Sequence, residues 1–205
     1  MSEGPPRNRS AADWEAHYVD ARLPWDTGRP DVHLPGVVER HAIAPTKAFE
    51  VGCGTGTNAI WLAQRGFAVT GVDVSPTAIE MAQPKLEAAG VECRLSVGNF
   101  LDDAPEATDY GFVYDRGVFH TFDDPADRER YAARVAERLG AGGLWHSLIG
   151  STDGPPRDSG PPRRSARDVV AVVEPHFEFL ELSAVNFDDG EHGAKRAWVL
   201  VARRR

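Results

Sequence analysis

Apolar positions along the chain follow two alternating rhythms. Short β-rich runs at residues 47–51, 67–74, 91–97, 110–115 and 144–149 read as strands, and helical spacings lie between them. A helix over 58–65 is stopped by Gly66. Ser75 caps the next helix with Pro76 at its first position, and Pro84 inside it predicts a kink or a split. Tyr131, Val135 and Leu139, four residues apart, give a helix over about 125–139 its apolar face, and Ala-Gly-Gly then turns the chain into the fifth strand. Upstream, residues 11–41 predict two short helices around the loop Pro24-Trp25-Asp26-Thr27-Gly28-Arg29-Pro30. Asp31 is placed to cap the second helix, whose apolar face is Leu34, Val37 and Val38. Downstream, Gly, Pro, Ser and Arg make 150–164 a loop. A helix over 166–173 follows, then strands at 177–185 and 197–202 joined by the turn-rich segment 186–193.

This alternation predicts an α/β fold of Rossmann-like type: a mostly parallel seven-stranded sheet with helices on both faces and a helical N-terminal cap. The final two strands have no helix between them, so they should form an antiparallel pair at one edge, with the last strand antiparallel to the rest of the sheet. Residues 11–205 are expected to form one domain, with 11–45 as the cap and 150–165 as a mobile loop. Residues 1–10 offer nothing to bury and are expected to be disordered.

Composition narrows the functional classes. A formal net charge of -8 argues against sequence-independent nucleic-acid binding, which rests on a basic footprint. Arginine far outnumbers lysine, a bias that reflects genome composition more than chemistry. Cys53 and Cys93 make neither a disulfide framework nor a metal cluster. The polar start lacks a signal-peptide core, and no apolar run approaches the ~20 residues that span a bilayer. A cytoplasmic protein without membrane attachment is expected, with its oligomeric state open.

The chemistry-bearing pattern begins at the end of the first strand, where Glu50-x-Gly52-Cys53-Gly54-x-Gly56 reads acidic-x-G-x-G-x-G. Glycines there let the backbone bend sharply and approach a ligand. A dinucleotide fingerprint would need glycine at 57, where Thr57 stands, which disfavours an NAD-dependent oxidoreductase. Asp73, followed by Val74, ends the second strand and is placed to accept both hydroxyls of a ribose. This combination resembles the first motifs of class I S-adenosylmethionine-dependent methyltransferases. By that resemblance Asn99 would meet the adenine amine and Phe100 its ring. Asn99 departs from the usual Asp, and capping a turn is its alternative role.

Three further stretches resemble the thiopurine S-methyltransferase family, which includes thiol and halide methyltransferases. They are Trp14-x-x-x-Tyr18 with Pro24-Trp25-Asp26-Thr27-Gly28, Tyr114-Asp115-Arg116-Gly117 with Arg128-x-x-Tyr131, and Ser159-Gly160-Pro161-Pro162. The resemblance implies S-adenosyl-L-methionine as cofactor, S-adenosyl-L-homocysteine as product and no metal. It implies Trp14, Tyr18 and Trp25 as an aromatic lid, with Glu50, Gly52, Cys53, Gly54, Asp73, Val74, Asn99, Phe100 and Arg116 around the cofactor. Aromatic faces suit a sulfonium cation. Trp14 has an alternative as a core anchor, and Arg116 one as an ion-pair partner of Asp115 or Asp123.

The implied reaction is methyl transfer to a small thiol or similarly soft nucleophile. A thiol ionises near neutrality, so alignment and water exclusion suffice and a base is optional. Asp115, Arg116 and His120 are the catalytic candidates. His120 is the one candidate base, with packing of its loop as the alternative. Arg157, Arg163 and Arg164 read as a solvated loop patch, and Glu178 and Glu181 as the wet face of an edge strand. The competing readings are an O- or N-methyltransferase of a bacterial small molecule, and a cofactor-binding module without activity.

Overall fold

A computed structural model of the chain describes residues 10–103, 108–155, 162–187 and 195–205. The strands, most of them separated by helices, are β1 Lys47–Val51, β2 Ala68–Asp73, β3 Arg94–Val97, β4 Tyr110–Arg116, β5 Leu139–Gly150, β6 Phe177–Asn186 and β7 Arg196–Arg204. The helices are α1 Ala11–Val19, α2 Leu34–Arg40, α3 Thr57–Ala63, α4 Pro76–Ala89, α5 Pro125–Arg138 and α6 Ala166–Val173, with a short 3-10 turn at Phe119–Thr121. The strand order is β3-β2-β1-β4-β5-β7-β6, parallel except that β7 runs antiparallel to both neighbours. This is the Rossmann-like α/β sheet that the alternation implies, and its order reverses between β1 and β4. Ligands of such sheets sit beyond the carboxyl ends of the strands at that reversal.

Successive strand residues point to opposite faces, so each central strand feeds two cores. Phe49, Val51, Val113 and Trp145 join Tyr131 and Val135 of α5 and Val169 and Val173 of α6 on one side. Ala48, Phe112 and Tyr114 meet Leu34 and Val37 of α2 and Trp61 and Leu62 of α3 on the other. Burial of each large apolar side chain stabilises the fold by about 1.5–3 kcal/mol.

Local signals hold at most boundaries. The Ser75 hydroxyl accepts from the Ala78 amide at the start of α4, and Ser165 with Asp168 forms a capping box on α6. Four expectations need correction. Pro84 does not split α4, because both it and Glu80, whose carbonyl loses its helical donor, are exposed and that carbonyl can turn to water. Ala-Gly-Gly is not a turn before β5 but lies inside that strand, where pairing to β4 jumps from Tyr110↔Leu139 to Phe112↔Leu144. The third strand begins only at Arg94. Asp31 does not cap α2, whose N-cap is His33; its carboxylate is buried and accepts from the Tyr114 hydroxyl at 2.9 Å and the His33 amide at 3.0 Å. Residues 1–9 of the expected tail, Ser159-Gly160-Pro161 of the third motif, Arg157, and residues 188–193 of the segment before β7 lie outside the described residues.

Candidate cofactor and acceptor site

At the end of β1 the chain folds back on itself, and the amides of Gly52 and Cys53 both donate to the Val72 carbonyl of β2. Gly52 has φ +65°, and a Cβ there would stand 2.4 Å from a methyl of Val118. Gly54 has φ +51°, and its Cβ would meet the Tyr18 hydroxyl at 2.9 Å. Both positions therefore combine a backbone conformation that favours glycine with a crowded neighbour. The Gly54 amide donates to Asp73 at 2.8 Å and the Ser75 amide to its other oxygen at 3.0 Å. Each carboxylate oxygen retains capacity for a further donor, as a ribose diol requires. Val74 follows, half-buried, and Cys53 is buried with a thiol whose pKa burial pushes well up.

Glu50 is buried; its Oε1 accepts a long 3.4 Å bond from Asn58, and the Ala59 amide also donates to the carboxylate. Its Oε2 is buried with no hydrogen-bond partner among the described residues. Burial, with Asp73 and Asp115 nearby, pushes its pKa up to about 8. Buried carboxylates are normally matched by donors or a cation. The Glu50 Oε2 is not so matched among the described residues.

The cap closes over this loop. Trp25 packs edge-on against Trp14 at 5.5 Å, His17 at 5.4 Å and Tyr18 at 6.0 Å. From the end of β4, Arg116 donates to the Trp25 carbonyl at 3.1 Å, with its guanidinium 5.0 Å from the Phe187 ring. Its Nε is buried and lacks a partner among the described residues. Arg116 is thus tied to the lid rather than to Asp115 or Asp123.

Other candidates are committed elsewhere. Asp115 is fully buried and accepts from the Val118 and Phe119 amides at 3.2 Å and from the Trp145 indole at 3.0 Å. It shapes the turn that carries His120. Burial raises its pKa. Asn99 is exposed; its amide nitrogen donates to Asp102 at 2.7 Å and its oxygen accepts from the Leu101 amide at 3.1 Å, the turn-capping arrangement. Phe100 lies in the core, 5.9 Å from Phe49 and 5.1 Å from Tyr131. His120 is buried, with Nδ1 accepting the Gly150 amide at 2.8 Å, so the neutral ring carries its proton on Nε2. Sequence reasoning missed Phe187, which packs on both Arg116 and His120. It also missed Glu15, Thr55 and Lys85, whose polar groups tie the cap to the sheet; nothing in their local sequence distinguishes them.

The model of the thiopurine S-methyltransferase family matches residues 9–203. The chain belongs to that family. Members are S-adenosylmethionine-dependent methyltransferases, and so is this one. A probable thiol methyltransferase 2 of Arabidopsis thaliana is 31% identical over 186 residues, 89% of this chain and 78% of the relative. The 2-heptyl-1-hydroxyquinolin-4(1H)-one methyltransferase of Mycobacteroides abscessus is 25% identical, over 86% of this chain and 80% of its own. Among solved structures, one described for the conversion of a disulfide bond into a thioacetal group during echinomycin biosynthesis aligns with a TM-score of 0.79. It is 27% identical, covering 95% of this chain and 93% of that one.

The residues present fit this cofactor. A glycine cradle, a carboxylate with spare acceptor capacity, an unmatched buried acid and an aromatic lid converge at the sheet's reversal. Among the described residues no group of three or more His, Cys, Asp or Glu could hold a metal ion, and no helix is long and apolar enough to cross a membrane.

Proposed function

We propose that the protein methylates a small soft nucleophile, foremost a thiol, at the mouth bounded by Arg116, Phe187, His120 and the Trp25 loop. In this reading Glu50 faces the ammonium of the cofactor, Asp73 the ribose, and Gly52 and Gly54 the backbone path of its amino-acid end. Trp14, Tyr18 and Trp25 shield the sulfonium from water, and Arg116 steadies the lid while offering its unmatched Nε to an anion. When bound, S-adenosylmethionine supplies a sulfonium methyl group to an in-line displacement that leaves a neutral thioether.

The observation that carries the soft-acceptor reading is the state of His120. Its Nδ1 lone pair is spent on the Gly150 amide and its Nε2 bears a proton, so the neutral ring offers no free acceptor nitrogen. Asp115 is likewise enclosed. A site without a poised base favours acceptors that ionise unaided: a thiol with pKa roughly 8.5 ahead of a phenol near 10. His120 then serves to pin β5 against the turn after β4. A second reading, an acidic hydroxyl as acceptor, is favoured by the likeness to the quinolone methyltransferase. We place the protein in the cytoplasm, acting on free small molecules and not on nucleic acid, in keeping with its acidity and its free cysteines.

The test is transfer from labelled S-adenosylmethionine to aromatic thiols, thiopurines, aliphatic thiols, iodide, phenols and amines. Thiols turning over well above phenols and amines is the expected result. Transfer to phenols or amines alone refutes the soft-acceptor reading and leaves a methyltransferase of another class.

A further inference from the structure

The aromatic lid is tethered at two points that the reaction itself does not require. On α1, the Glu15 carboxylate accepts from the hydroxyls of Ser75 and Thr77, both at 2.5 Å, and from the Thr77 amide at 3.3 Å, fixing the helix to the start of α4. The loop after α1 has a separate anchor. Asp26, next to Trp25, accepts from the Thr55 hydroxyl at 2.6 Å and from the Lys85 ammonium at 3.2 Å. Lys85 also donates to the Thr55 oxygen at 2.6 Å, so the three groups form a closed triangle. The other Asp26 oxygen takes the Gly28 amide at 3.2 Å, which holds the loop's own turn.

The triangle joins three elements meeting at the cofactor cradle: the lid loop, the glycine loop through Thr55, and α4 through Lys85. Its carboxylate is mostly enclosed, with 15% of the side chain exposed, whereas Lys85 is 37% exposed. The pair is thus stronger than a surface ion pair yet can open without disturbing either core. Trp25 adjoins Asp26, and its carbonyl also accepts from Arg116, so releasing Asp26 removes the loop's hold on the glycine loop and α4 and loosens the ring that leans on Trp14, His17 and Tyr18. With Glu15 still holding α1, the loop moves and the helix stays.

We propose that Thr55 and Lys85 are positioning residues which, through Asp26, hold the Trp25 loop shut and set the residence time of the bound cofactor. This rests on the cofactor lying beneath the lid, as argued above, and not on the identity of the acceptor. The experiment measures dissociation of S-adenosylhomocysteine from the full chain by stopped-flow tryptophan fluorescence, with the melting temperature of the empty protein alongside. Lys85→Met keeps the aliphatic stem and should raise the dissociation rate about fivefold, the loss expected of one partly buried pair. Thr55→Val should do the same, and Lys85→Arg should restore slow release. The melting temperature of Lys85→Met should fall by no more than about 2–4 °C, the cost of one such pair in a chain of this size; a larger fall would overturn the latch in favour of a general loss of stability. Wild-type dissociation rates in both Lys85→Met and Thr55→Val overturn the latch alone. A wild-type protein that binds no S-adenosylhomocysteine overturns the cofactor site and the latch together.

Discussion

Cofactor binding should expel a proton from Glu50. The empty protein holds this carboxyl buried against Asp73 and Asp115, with Tyr114 and Cys53 on adjacent backbone and the Asn58 side chain and Ala59 amide donating to it. With its pKa raised to about 8, the group carries about 0.9 proton at pH 7. Beside an ammonium it ionises. Binding of S-adenosylhomocysteine at pH 7 should therefore release about 0.9 proton from Glu50, and its affinity should rise about tenfold per pH unit below pH 8 before levelling off. The ligand's own amine, with an α-amino pKa of about 7.7–8.0, takes up a small fraction of a proton in the opposite sense. Glu50→Gln subtracts that contribution. Isothermal titration calorimetry in buffers of different ionisation enthalpy gives the proton count as a slope, and the wild type minus Glu50→Gln difference is the quantity predicted. The same shift bears on stability. A carboxyl whose folded pKa is raised binds more protons folded than unfolded, so it makes the empty protein less stable as pH rises from about 4.5 to about 8. That cost reaches roughly 3 kcal/mol at pH 7, and Glu50→Gln should flatten the pH profile of melting while weakening cofactor binding. Equal proton release by both proteins would refute the argument.

Two further outcomes follow from the turn after β4. His120→Ala should lower kcat/KM by similar factors for acceptors that arrive neutral and acceptors that arrive anionic, because the lost contact is the one holding Gly150; a loss confined to neutral acceptors would return His120 to the role of base. Trp145→Phe removes a donor from fully buried Asp115 and should cost about 1–3 kcal/mol, a fall of roughly 5 °C in melting temperature. The Asp115 pKa is raised by burial and rises further without that donor, so the penalty should grow as pH rises above the ordinary carboxylate range; thermal denaturation as a function of pH checks it.

How much could be read from the chain alone depended on whether the deciding contact was local. The glycine loop, the Ser75-Pro76 cap, the helix over 166–173 and the apolar stripe of α5 act within a few residues, and each lies where its pattern placed it. The clustering of Trp14, Tyr18 and Trp25 was also legible, because Trp25 amid Pro, Asp and Gly has few neighbours of its own in the sequence. What escaped was the commitment of each side chain across long separations. Asn99 and Phe100 occupy the expected strand end, yet the amide is spent on Asp102 and Leu101, and the ring on Phe49 and Tyr131. Asp31 looked like a cap because it precedes a helix, but its hydroxyl partner, Tyr114, arrives from β4. Lys85 and Asp26 meet only after α1, the glycine loop and α4 have assembled.

The sheet itself explains why neighbours in the motif Tyr114-Asp115-Arg116 do such different work. Side chains alternate across a strand, and β1 pairs with β4 so that Glu50 stands opposite Tyr114 and Val51 opposite Asp115. Glu50, Tyr114 and Arg116 thus share the face covered by the cap, where each has an unmatched atom or a contact to Asp31 or the lid. Asp115 faces α5, where amides and an indole enclose it. Asp115 is spent on its own turn, whereas Glu50 and Arg116 each keep a buried atom with no hydrogen-bond partner among the described residues. A one-residue shift in register would exchange those roles, placing the enclosed acid at the cofactor and the guanidinium in the core. The bulge between Tyr110 and Phe112 in the pairing of β4 with β5 lies at the far end of the strand from the site. The register through Asp115 and Arg116 is therefore kept where the chemistry depends on it.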